Sequence, residues 1–132
     1  MVSHSLIEEL IVSTGCCNSE EWHSLDLCVL KSLKSLSIGD DCFVNVDVLR
    51  LIGLNALESV VVGMNSFLAS SGVFTVQRCD SLTELTIGHS SFGGYHRIVL
   101  DGVPVLETVS VGDGCFASSS LELKGENGCV VS

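Results

Sequence analysis

The chain has 132 residues, enough for one domain that hides roughly two thirds of its unfolded surface, and its 46% apolar share excludes a disordered polymer. Sixteen carboxylates against six Lys and Arg give a formal net charge of −10, which repels phosphate backbones and anionic headgroups and excludes nucleic acid as an expected partner. No apolar run reaches the length of a bilayer span, and Glu8 and Glu9 interrupt the segment where a signal peptide would keep its apolar stretch, so membrane insertion is not expected.

In chain order, the first predicted strand lies in "IEELIVSTGCC", which begins at Ile7, and a shorter alternating stretch, "SLDLCVL", follows it. The same pair then returns. "LKSLSIGDDCF" from Leu33 is followed by "VLRLIGL", and "LESVVVGMNSF" from Leu57 by "VFTVQRC". "LTELTIGHSSF" from Leu82 is followed by "RIVLDGV", and "LETVSVGDGCF" from Leu106 by "SLELKGE". The leading positions step by 26, 24, 25 and 24 residues. The second position of each of these stretches, Leu25, Leu49, Phe74, Ile98 and Leu121, stands eight residues before the next leading position. A fixed period with a fixed internal offset marks a repeat array.

Two period-2 stretches per repeat predict two strands per coil with alternate residues inward, and stacked coils line equivalent positions into ladders. The expected fold is therefore mainly β: a solenoid of about five 24–26-residue coils, two short parallel strands each, little or no helix, with residues 1–132 as one domain. The first inward ladder is Leu10, Leu36, Val60, Leu85 and Val109, with Val12, Ile38, Val62, Ile87 and Val111 beside it. The second strands supply Leu27, Leu51, Val76, Leu100 and Leu123. Corners are filled by Cys17, Phe43, Phe67, Phe92 and Phe116, whose rings are expected to stack. After each first strand come Ser13, Gly39, Gly63, Gly88 and Gly112, where a turn needs a left-handed or a crowded backbone. His89, Ser90 and Ser91 are therefore read as punctuation in a turn, because no acid is placed by sequence to complete a triad.

Length varies between corner and second strand, as in "NSEEWHS", "LASSGV" and "GGYHR", which marks a loop edge. Trp22, His23, Tyr95, His96 and Arg97 lie there and are candidate partner-binding residues, with half-buried loop packing as the alternative. Ser37, Val61, Thr86 and Ser110, with Ile11, form an outward row on the first strands and are the other candidates. Glu8, Lys34, Glu58, Thr83 and Glu107 form a rim ladder, and Asp26 and Arg50 are neighbours on the second strands.

Seven cysteines include the pair Cys16 and Cys17. Cys16, Cys42 and Cys115 take the slot of Ser66 and Ser91, Cys79 shares a ladder with Leu30, Leu54 and Val103, and Cys129 falls in a leading slot. Buried, inert, reduced thiols are the reading taken, with a Cys16–Cys42 bridge in an oxidising compartment as the alternative. No metal is expected, because C-x-x-C and H-x-x-x-H pairs are missing.

The repeat resembles the leucine-rich-repeat superfamily, most closely the I-G-x-x-x-F repeats of BspA-like proteins of bacteria and protists, through "IGDDCF", "VGMNSF", "IGHSSF" and "VGDGCF". It is also similar to protist families that add an F/V-x-L-x-x-L-P-x-L segment, matched by "RIVLDGVPVLETVSVG". The resemblance covers nearly the whole chain. It implies a solenoid and, for some BspA-like members, adhesion or host-protein contact. It carries over no catalytic residue, and the asparagine ladder of other leucine-rich repeats is absent here.

The expected function is a non-catalytic protein-interaction or assembly scaffold with no cofactor and a protein partner of unknown identity. A cell-surface adhesion module and a structural piece of a longer array are the alternatives. Reduced thiols and the missing signal peptide favour the cytoplasm. Met1 falls at the phase of Leu27, and Ser132 where the next first strand would begin, so neither end carries a polar cap. End-to-end self-association, chiefly through the C-terminal end, is expected from this.

Overall fold

The computed structural model describes residues 7–21, 23–69, 71–95 and 97–113, together with the backbone of Ser120–Lys124. It is a repetition of short strands with no helix among the described residues. In chain order the strands are β1 (Glu9–Val12), β2 (Ser24–Asp26), β3 (Ser35–Ile38), β4 (Val48–Ile52) and β5 (Ser59–Val62). They continue as β6 (Val73–Gln77), β7 (Glu84–Ile87), β8 (Arg97–Asp101), β9 (Thr108–Val111) and β10 (Ser120–Lys124). Odd-numbered strands form one five-stranded sheet, β1-β3-β5-β7-β9, and even-numbered strands the other, β10-β8-β6-β4-β2. Every pairing is parallel, so the chain is a β-solenoid as its period demands.

Registers follow the sequence ladders without a slip. Leu10 pairs with Leu36, Leu36 with Val60, Val60 with Leu85 and Leu85 with Val109. In the second sheet Leu51 pairs with Val76, and Val76 with Leu100. Because strand side chains alternate, fixing these pairs sends Leu36, Val60 and Leu85 inward to near-zero exposure and turns Ser37, Val61 and Thr86 outward. Each fully buried aliphatic contributes about 1.5–3 kcal/mol, and that gain is what a single coil cannot collect alone.

The corner rings stack as expected: Phe43 on Phe67 at 5.3 Å and Phe67 on Phe92 at 4.6 Å, with Phe74 joining Phe92 at 4.9 Å. Phe116 lies outside the described residues. The backbone cost falls in an unexpected place. Phe43, Phe67 and Phe92 are left-handed, with φ of 52°, 57° and 58°, and so are Asp41, Asn65 and Ser90 two residues earlier. Each such residue costs roughly 1–2 kcal/mol, which ring stacking and full burial offset. The glycine ladder is thus a matter of crowding, since none of Gly39, Gly63, Gly88 and Gly112 is left-handed. A Cβ on Gly88 would stand 2.7 Å from the carbonyl carbon of Gly63 in the coil below.

Polar side chains stitch one coil to the next. The Ser91 hydroxyl donates to the Gly63 carbonyl at 2.6 Å and accepts from the Ser66 amide at 3.1 Å. One coil down, the Ser66 hydroxyl donates to the Gly39 carbonyl at 2.9 Å and accepts from the Cys42 amide at 3.1 Å. This explains why the slot accepts only Ser or Cys: it is buried and needs a small donor. A second row ties three of the coil-to-coil steps, with Thr14 accepting from the Asp40 amide, Asp40 from that of Met64, and His89 from that of Asp113.

Candidate functional site

The outward row of the odd-numbered sheet runs Ile11, Ser37, Val61, Thr86 and Ser110, paired strand to strand across all of it. Ile11 is 71% exposed and Val61 38%, while Ser37 and Ser110 are exposed and Thr86 half-buried. Two residues earlier on each strand a parallel row carries Glu9, Ser35, Ser59, Glu84 and Thr108. Short side chains on a register this regular give a flat surface of hydroxyls and methyls. Its borders are acidic: Glu8, Glu58, Glu84 and Glu107 are exposed on one side, and Asp41 and Asp113 on the other. On this rim Lys34 is tied to Glu8 at 3.4 Å, with both side chains more than half exposed, a contact worth a few tenths of a kcal/mol.

The loop-edge candidates do not assemble. Trp22 and His96 lie outside the described residues. His23 is exposed just before β2, and Arg97 is exposed at the start of β8. With β4 and β6 between them, three strand spacings of about 4.8 Å hold these two some 14 Å apart.

Tyr95 corrects the sequence reading. Its ring is fully buried and stands edge-on to Phe92 at 4.8 Å and to Phe67 at 6.4 Å. Its hydroxyl donates to the Val46 carbonyl. Burial raises its pKa well above the ordinary phenol value, with Asp47 adding to the effect. The reason is spatial: Gly72 leaves the room, since a Cβ there would come within 2.5 Å of the ring. Tyr95 is therefore a core residue and offers nothing to a partner.

The thiols separate by depth. Cys42 and Cys79 are buried, whereas Cys16, Cys17 and Cys28 are half-buried, and all five are free. Burial pushes Cys79 up to about 11, and burial also raises Cys17 and Cys28. Cys115 and Cys129 lie outside the described residues, as do Met1 and Ser132, the chain ends from which end-to-end association is expected. His89 and Ser90 are exposed, but Ser91 is buried with its hydroxyl engaged above and below.

One feature has no counterpart in the sequence reading: a groove of about 480 Å³ at the turns that follow the second strands, lined by Cys28, Lys31, Gly53, Asn55, Arg78 and Asp80. It draws on three successive coils. Nearby, the Asp26 carboxyl is held below its usual value, chiefly by hydrogen bonds from Cys28, with Arg50 and Lys31 contributing. Comparison of the chain with family models, curated proteins and solved structures returns no match.

Proposed function

We propose that the chain is a non-catalytic scaffold of leucine-rich-repeat type that docks a protein partner on the outward face of its odd-numbered sheet. The observation that carries this is the continuous Ile11–Ser37–Val61–Thr86–Ser110 row, flat, short-chained and bordered by acids. Inward ladders are consumed by stacking, while this row is held rigid by the same hydrogen bonds and so loses little entropy on binding. An acidic border around a small apolar and hydroxyl centre fits a partner whose surface carries Lys or Arg around a compact contact patch. The engaged Ser91 hydroxyl supports a non-catalytic reading of the "GHSS" turn.

The test is affinity capture from the source organism with the wild-type chain, a Val61→Arg, Thr86→Arg face variant, and a His23→Ala, Arg97→Ala loop-edge variant. A basic protein retained by the wild type and the loop-edge variant, lost with the face variant and weakened by salt, is the expected result. Equal capture by all three proteins, or loss only with the loop-edge variant, would overturn the assignment of the face.

A further inference from the structure

The groove behind the second strands is lined by two cations, Lys31 and Arg78, against one acid, Asp80, in a chain whose net charge is −10. Its shape comes from one missing side chain. Val29, Gly53, Arg78 and Gly102 occupy one ladder, four residues beyond Leu25, Leu49, Phe74 and Ile98. At Gly53 the left-handed φ of 72° and the absent Cβ open a notch between its neighbours. The Lys31 ammonium reaches into it from the coil below, with Nζ 3.4 Å from where a Gly53 Cβ would stand. Arg78 lines it from the coil above, and Asn55 and Asp80 also line it.

Neither cation is held in a close ion pair, although Lys31 acts on the Asp26 carboxyl at longer range. Elsewhere Lys34 pairs with Glu8, and Arg50 stands beside Asp26 in the strand ladder. Among the described residues neither Lys31 nor Arg78 makes an ion pair. The backbone amides of Gly53 and Arg78 are spent on the carbonyls of Gln77 and Asp101, so recognition here rests on side chains. A planar guanidinium fork and a point ammonium lining one groove are a donor set that suits a phosphoryl group. Asn55 and Asp80 supply an amide and an acceptor for hydroxyls, and the volume exceeds that of a bare phosphate.

We propose that this groove binds a phosphomonoester attached to a hydroxyl-bearing body, with Lys31 and Arg78 on the phosphoryl oxygens and Asn55 and Asp80 on the hydroxyls. The two sources of that chemistry are a phosphorylated sugar and a phosphoserine side chain of a bound protein. The site is separate from the sheet face and stands whether or not that face docks a partner.

The experiment titrates the full chain with inorganic phosphate, glucose 6-phosphate and a short phosphoserine peptide at constant ionic strength, following the backbone amide resonances of Gly53, Asn55 and Arg78. Saturable shifts at these amides are expected, with affinity reduced at least about tenfold by Lys31→Gln or Arg78→Gln and unchanged by Lys34→Gln. Tighter binding of the sugar phosphate identifies a small-molecule ligand, and tighter binding of the peptide a phosphoprotein. Linear, non-saturating shifts with all three probes overturn the site, as does equal weakening by Lys34→Gln.

Discussion

Replacing Gly72 by Ala sets a methyl group against the face of the Tyr95 ring, 2.5 Å from Cε1 and 2.6 Å from Cδ1 and Cζ. Carbon atoms pack at about 3.5–4.0 Å, so the ring must withdraw by roughly 1 Å. That movement is resisted, because Phe67 and Phe92 pack perpendicular to the ring and its hydroxyl is bonded to the Val46 carbonyl. Overpacking of this kind costs about 1–3 kcal/mol. Since Gly72 is not left-handed, Ala also removes unfolded-state freedom and returns about 0.4–1 kcal/mol. The net expectation is a loss of about 1–2 kcal/mol. In a Tyr95→Val background, itself weaker by about 2–4 kcal/mol, the same methyl enters vacated space and becomes neutral or mildly stabilising. Equilibrium urea unfolding of the four proteins of this cycle should therefore yield a coupling energy near 2 kcal/mol. Additivity within about 0.5 kcal/mol would refute the claim that Gly72 exists to seat Tyr95.

Two further outcomes follow from burial. Ile87→Asp places an unpaired carboxylate in a ladder position only 2% exposed and should abolish cooperative folding, and a soluble, sharply melting variant would sink the register. Cys79 is raised by burial from an ordinary 9.0 to about 11, so the folded state favours its protonated form. That contribution, on the order of 2–3 kcal/mol, is complete below pH 9 and is lost as pH climbs through 11. Urea midpoints measured across this window should fall in the wild type and fall less in Cys79→Val.

What the sequence made legible was whatever repeats. Leu36, Val60 and Leu85 share a slot, a residue type and a period, so their register could be read before any coordinates. Tyr95 occurs once, in the variable loop, and its pocket depends on a glycine 23 residues away, so no periodic signal announced it. The left-handed rings were hidden for another reason: Phe is a poor residue for that conformation, and the turn holds it there only because the stack supports each ring from the next coil. The cation groove escaped because it joins two slots across three coils, Lys31 in one and Gly53 and Arg78 in the other, and what opens it is an absent side chain.

The strand pairings also dictate how the chain finds its shape. Glu9 meets Ser35, Ser35 meets Ser59, Ser59 meets Glu84 and Glu84 meets Thr108, so every closure in that sheet spans nearly the same length of chain. A loop of this size carries a length-dependent closure entropy of about 3 kcal/mol, the same for each coil. The first pair of coils bears that cost with little buried surface to offset it, and every later coil docks onto a finished template. Folding is then a matter of seeding and growth: the slow event is the meeting of two neighbouring coils anywhere along the chain, and the structure lengthens from that seed in both directions.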